Sequence, residues 1–322
     1  MSLLVYTENW NGKFKKLSLE LVSYASGVGE IMNSDVIALT IGPVEEDELM
    51  RLAEYGASRI IVAEHDALKE YDTLTYASVI TQLAEKEGSD VIVLANNNQG
   101  KGVAPVIAAR LAAGLAAGVT GLPVSVDPFR IDKRAYSGNA MARLEIKTAV
   151  RILTLAQNSY DLKSNRRDAV IEKYQPVIEN SPAIKIEDVQ RQEGKLLLTD
   201  AEIVVSGGRG MKSPDNWVHI EELASLLGGA TACSRPVSDE GWRPHGEHTG
   251  QTGKVIAPNL YIAAGISGAT QHIAGVSSSK YIVAINSDKD APIFEVAQYG
   301  IVGDALKVLP ALVAAVKAAK ND

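Results

Sequence analysis

Apolar runs that do not alternate with polar residues constrain this chain most. Val91-Ile92-Val93-Leu94-Ala95 has no polar residue at any position, so a strand there must be covered on both faces. Leu3-Leu4-Val5-Tyr6, Val36-Ile37-Ala38-Leu39-Thr40 and Arg59-Ile60-Ile61-Val62-Ala63 read as three further strands. Helical spacing fills the gaps over Leu17 to Ala25, Glu45 to Glu54, Tyr76 to Ala84 and Val103 to Ala113. Strand and helix alternating at this interval predict a doubly wound, mostly parallel sheet.

The texture changes near Val124. Ala142 to Ile146 and Val150 to Leu155 alternate and read as antiparallel strands. Asn158 to Glu193 is polar and charged, an extended connector with one or two edge strands. The α/β grammar then restarts. Glu202 to Ser206, Leu260 to Ala264 and Tyr281 to Ile285 read as strands, and His219 to Leu227 as a helix. Ile301 to Lys320 reads as a closing helix that Pro310 opens or kinks. With 322 residues, two α/β domains of related topology are expected, 1–195 (its last ~35 residues the connector) and 196–322.

Charge and cysteine content narrow the function. Lys and Arg total 32 against 39 Asp and Glu, a formal charge of −7, which argues against nucleic acid or an anionic membrane as the main partner. The single Cys233 cannot form an internal disulfide or a cysteine-ligated cluster and fits a reducing compartment. No stretch approaches the roughly 20 apolar residues of a membrane span, and the amino terminus lacks a targeting pattern. A cytoplasmic location is expected.

Five loops in the second half carry polar chemistry. Ser206-Gly207-Gly208-Arg209-Gly210 offers bare amides and a guanidinium for phosphate; a structural turn with a solvated arginine is the alternative. Cys233-Ser234-Arg235-Pro236 sets a cation at a strand's carboxyl end, where open α/β sheets bind ligands, unless Arg235 is an ordinary surface residue. Gly250-Gln251-Thr252-Gly253-Lys254 suits a heteroaromatic edge or a pyrophosphate, or is a hairpin turn. Gly265 to His272 opens a short helix favourable to an anion, with His272 either a donor to a carbonyl oxygen or a structural histidine. Ala284 to Asp288 brings Asn286 to the same edge, and Asp304 caps the last helix or meets a ligand. A rival constellation, His245-Gly246-Glu247-His248, has metal-ligating residue types but a loop-forming sequence and no second ligand pair, so no metal is assigned.

Together these segments resemble the α subunit of the electron transfer flavoproteins: SGGRGMK at 206–212, Ser234-Arg235, GQTGK at 250–254, the run from Leu260 to Asn286, and Ala291-Pro292-Ile293-Phe294 leading through Tyr299 to Asp304. The first half resembles the family's other domain more loosely, through Leu94-Ala95, Ala104 to Leu111 and Tyr136 to Ala140. The resemblance implies an electron carrier rather than a substrate-transforming enzyme, holding one FAD in a C-terminal α/β FAD-binding domain. It implies an obligate β subunit carrying AMP, electrons taken from flavin dehydrogenases such as the acyl-CoA dehydrogenases of fatty acid β-oxidation, and delivery to a membrane quinone oxidoreductase. A flavin-bifurcating, NADH-linked complex, whose β subunit holds a second FAD, is the alternative.

By family pattern FAD would meet Arg209, Ser234, Arg235, Thr249, Gly250, Gln251, Thr252, Gly265, Ile266, Ser267, Gly268, Ala269, Thr270, Gln271, His272, Asn286, Asp304 and Ala305. Arg235 would lie over the isoalloxazine ring, Thr252 near its N5 side and His272 near its O2 carbonyl. Charge gained on reduction would then be stabilised by a cation and a donor. His248, Thr249 and Thr270 depart from the family pattern and bear on the wall of that pocket.

Overall fold

A computed structural model describes residues 2–138, 140–178, 187 and 196–321. The chain divides into two compact units, Met1–Val189 and Gln190–Asp322.

In the first unit the strands and helices are β1 (Ser2–Tyr6), α1 (Lys16–Met32), β2 (Asp35–Ile41), α2 (Glu46–Ala53), β3 (Arg59–Ala63), α3 (Thr73–Glu87), β4 (Ser89–Ala95), α4 (Asn98–Arg110) and β5 (Gly114–Val119). Then come β6 (Phe129–Ala135), β7 (Ala140–Ile146), β8 (Arg151–Leu155) and β9 (Val170–Tyr174). The sheet order is β7-β6-β5-β8-β4-β1-β2-β3-β9. From β5 to β9 every neighbouring pair is parallel. The β6–β7 hairpin adds an antiparallel edge.

The apolar runs behave as their composition requires. Along β1, Leu3 and Val5 pack on one side with Val22 of α1 and Leu52 of α2, while Leu4 and Tyr6 pack on the other with Ile80 of α3 and Ile107 of α4. Each fully buried Leu or Ile contributes roughly 2 kcal/mol of transfer free energy. Helix α3 starts where Asp72 Oδ2 accepts from the Thr75 amide at 2.8 Å, and stops at Gly88 with φ 62°.

Several expectations are corrected. Arg151–Leu155 is no antiparallel strand: β8 lies between β4 and β5 and is parallel to both. Helix α1 runs seven residues beyond Ala25, to Met32. The segment after β8 first packs back on α1 rather than leaving the unit. Buried Glu20 accepts the amides of Asn158, Ser159 and Tyr160 at 3.0, 2.8 and 3.0 Å. The remainder of the expected connector, 179–186 and 188–195, lies outside the described residues.

In the second unit the elements are β10 (Ile203–Gly207), α5 (Val218–Leu227), β11 (Ala230–Cys233), α6 (Arg235–Asp239), β12 (Leu260–Ala264), α7 (Thr270–Val276), β13 (Tyr281–Asn286), α8 (Ile293–Val296), β14 (Tyr299–Val302) and α9 (Ala305–Asn321). All five strands are parallel, in the order β11-β10-β12-β13-β14. Val204 and Tyr261 face the α7 and α8 side, with Val276 and Ile293; Val205 and Ile262 face the α5 and α9 side, with Leu223 and Leu309. Ile301 and Val302, expected at the start of the last helix, end the edge strand β14 instead. Helix α9 begins at Ala305 and runs through Pro310.

Candidate cofactor site

The order β11-β10-β12 reverses direction at β10, so the connections leaving β10 and β12 depart to opposite faces of the sheet. A crevice opens between such strands at their carboxyl ends, the place where open α/β sheets take ligands. Both strands end in glycine-rich turns there, and the turns bond to each other. The Gly208 amide donates to Ala264 at 2.9 Å and the Gly210 amide to Gly265 at 3.0 Å. Gly265 has φ 65°, a conformation other residues adopt at a cost.

The remaining loops are tied to that edge through main-chain bonds. The Ser234 amide donates to Gly207 at 3.1 Å, Thr249 to Cys233 at 3.0 Å, and Gln251 to Gln271 at 2.7 Å. Asn286 Nδ2 donates to the Ile266 carbonyl at 2.9 Å, and the Ile293 amide to Ser267 at 3.0 Å. The site residues named from the sequence therefore gather at one end of one sheet. Arg209, Arg235, Gln251, Thr252, Ser267, Ala269, Thr270 and Gln271 are exposed there. Gly265 and Asn286 are half-buried, and Ser234, Thr249, Gly250, Ile266, Gly268, His272 and Ala305 are buried. Unlike the other loops, Gly250–Lys254 does not directly follow a strand. It lies after the short turn His245–Glu247, joined to the sheet edge by Thr249.

Charged groups line the rim. Arg235 Nη1 reaches Thr252 Oγ1 at 3.5 Å, while its Nε pairs with Asp239 at 3.3 Å. Of the two readings weighed for Asp304 the structure shows the helix cap: Oδ1 accepts the Leu306 amide at 3.0 Å, while Oδ2 meets Lys212 Nζ at 2.9 Å. Lys212 and the Leu306 amide hold the Asp304 carboxyl below its ordinary pKa.

Two buried imidazoles flank the Thr249–Lys254 loop. His272 Nε2 is bonded to the Tyr261 hydroxyl at 2.8 Å, and its Nδ1 is buried without a partner. Burial pushes the His272 pKa down to about 4, with the nearby Thr249 main chain pulling the other way. His248 is also buried with Nδ1 unpartnered, and burial lowers its pKa first, His245 and Arg235 next. Cys233 lies beneath, and burial pushes its thiol up to about 12, so it is inert rather than nucleophilic. Among the described residues no group of three or more His, Cys, Asp and Glu could hold a metal ion.

Tyr261 and Lys212 were not singled out as site residues from sequence. A tyrosine inside an apolar run reads as core, and only the fold brings its hydroxyl to His272. Lys212 sits six residues after Ser206 in SGGRGMK, and nothing local points to Asp304.

Comparison with known proteins gives a concordant picture. The electron transfer flavoprotein domain matches residues 3–179 and the electron transfer flavoprotein FAD-binding domain matches residues 197–277. The electron transfer flavoprotein subunit alpha of Thermoanaerobacterium thermosaccharolyticum is 37% identical, over 98% of this chain and 98% of its own. That of Bacillus subtilis is 35% identical, over 96% of this chain and 95% of its own. The acryloyl-CoA reductase electron transfer subunit beta of Anaerotignum propionicum is 31% identical, over 98% and 96%.

Proposed function

The chain belongs to the electron transfer flavoprotein family, as an α subunit whose second unit is its FAD-binding domain, and from that premise we propose that the five-loop edge is where FAD is held for electron transfer. The mutual contact of the Gly208–Gly210 and Gly265 turns is the observation that carries the reading, because it leaves main chain and no side-chain bulk at the switch point, where a ligand can approach the backbone. The residues fit the cofactor. Arg209 and Lys212 supply cations at the same turn, suited to a pyrophosphate. The orphaned Nδ1 of His272 is a buried polar atom that a ring carbonyl would satisfy.

FAD when bound supplies storage for one or two electrons. Within this reading Arg235 opposes the negative charge that reduction brings, and Asp239 moderates it through the 3.3 Å pair. The Thr252 hydroxyl, held near Arg235, would donate to the bound ring. Tyr261 fixes the His272 ring, whose Nδ1 would be the donor to a ring carbonyl. Ser234, Gln251, Thr249, the Gly265–Gln271 turn, Asn286, Asp304 and Ala305 complete the contacts.

Family α subunits pair with a β subunit, and in this chain's complex the β subunit carries AMP. Electrons arrive from flavin dehydrogenases, acyl-CoA dehydrogenases among them, and leave to a quinone oxidoreductase. Among the described residues no helix is long and apolar enough to cross a membrane. The bifurcating alternative gains nothing from these residues, which serve either carrier. The test is the complex co-purified with its β subunit. A yellow complex, bleached by a reduced acyl-CoA dehydrogenase and recoloured by quinone oxidoreductase, supports the reading. A colourless complex, or one that no reduced flavin dehydrogenase bleaches, ends it.

A further inference from the structure

The loop that presents Thr252 rests on an imidazole. A Cβ on Gly253 would lie 2.7 Å from His248 Nδ1, and one on Gly250 would lie 3.4 Å from Nε2. The His248 ring thus sits against two glycine backbones of the loop, 3% exposed, with Nδ1 unpartnered. Toward solvent it faces exposed His245, ring centroids 5.5 Å apart.

Charged and titratable groups approach His248 from every side. Arg235 and Asp239 come from α6, the first opposing a proton on His248 and the second favouring it. His245 from its own segment opposes one. Glu247 is engaged by Arg243 at 2.8 Å. Cys233, bridged to His248 along the main chain, carries a neutral thiol. His272 across the loop is itself neutral, far below neutrality at about 4. His248 is therefore an uncharged base in a desolvated place, balanced by one cation and one anion, with an exposed imidazole as neighbour. New negative charge beside Arg235 would tip that balance toward protonation.

We propose that His248 is the proton-linked positioning residue of the cofactor site: it is neutral while the flavin is oxidised and takes one proton from solvent when electrons reach the flavin. This rests on the reading that FAD lies against Arg235 and Thr252. The balance is one proton from bulk water onto a His248 ring nitrogen, with electrons from the reduced flavin dehydrogenase; no covalent bond between heavy atoms changes. His272 does not serve, because Tyr261 holds its Nε2 and its proton affinity is too low.

The experiment uses the FAD-loaded αβ complex with ring-labelled histidine, followed by NMR against pH in the oxidised state and after dithionite reduction. The His248 signal is the one lost in His248→Gln. Reduction is expected to raise its midpoint by at least one pH unit, a tenfold gain in proton affinity. Between pH 6 and 8 the flavin potential is expected to fall more steeply in wild type than in His248→Gln. Equal midpoints in the two redox states overturn the proposal; the variant serves only to assign the signal, and the comparison is made within wild type. Equal slopes in the two proteins overturn it as well. A complex without FAD overturns the site reading itself, whereas a loaded complex with a fixed His248 midpoint overturns this inference alone.

Discussion

Gly208 and Gly265 approach so closely that a methyl group on Gly208 would lie 2.2 Å from the Gly265 carbonyl oxygen. The carbonyl belongs to main chain and a Cβ is fixed by its own backbone, so nothing can swing away to make room. Gly208→Ala should part the two turns at the switch point while leaving β10 and β12 paired. We expect at least a tenfold loss of FAD affinity with an unchanged far-ultraviolet spectrum, measured as flavin retained by the αβ complex on gel filtration. Full retention would show that the closeness of the turns is not what holds the cofactor.

Glu20 is 2% exposed and accepts three consecutive amides from 158–160. Its removal strands those donors and frees the segment from α1. Glu20→Ala should cost about 3 kcal/mol of stability in the first unit. The check is urea unfolding; a midpoint within error of wild type would contradict it.

Acid should weaken the second unit before carboxylates titrate. His272 has an ordinary pKa of 6.5 and a folded value of about 4. The folded value is depressed, so the stabilisation is complete above 6.5 and is lost as pH falls toward 4, because the unfolded chain takes a proton that the folded chain refuses. About 2 kcal/mol should be gone by pH 5. His248 adds to the slope in the same direction. His272→Gln should flatten the dependence between pH 7 and 5, read from urea midpoints at each pH.

Arg235→Ala should keep FAD bound and lower the potential of its first electron. The Arg235 side chain is largely exposed and shared with Asp239, so screening limits the effect to on the order of 30–60 mV. An unchanged stepwise reduction would remove Arg235 from the tuning role.

Much of this architecture is legible in the residues alone, for a physical reason. Strands buried on both faces need unbroken apolar runs, and Arg59–Ala63 and Leu260–Ala264 appear with the expected bounds. β8 misleads because one of its polar residues, Thr154, is hidden, not exposed. Thr154 is buried, donating to Asn96 Oδ1 at 2.9 Å and accepting from the Gly118 amide at 3.0 Å, so a run that alternates in sequence sits mid-sheet. Ile301 and Val302 read as helix because apolar spacing continues into α9; pairing with β13 decides otherwise. The site loops are legible as glycine and polar clusters. The Tyr261–His272 and Lys212–Asp304 pairs are not, since each joins residues that only the fold brings together.

Parallel pairing throughout the second unit has a practical corollary. Every carboxyl end opens on one rim, and the proposed contacts crowd there. The opposite rim, where β11, β12 and β13 begin, carries none of them. Fluorescent labels or affinity handles grafted on that far side, as at exposed Lys280, should report on the molecule without disturbing its prosthetic group.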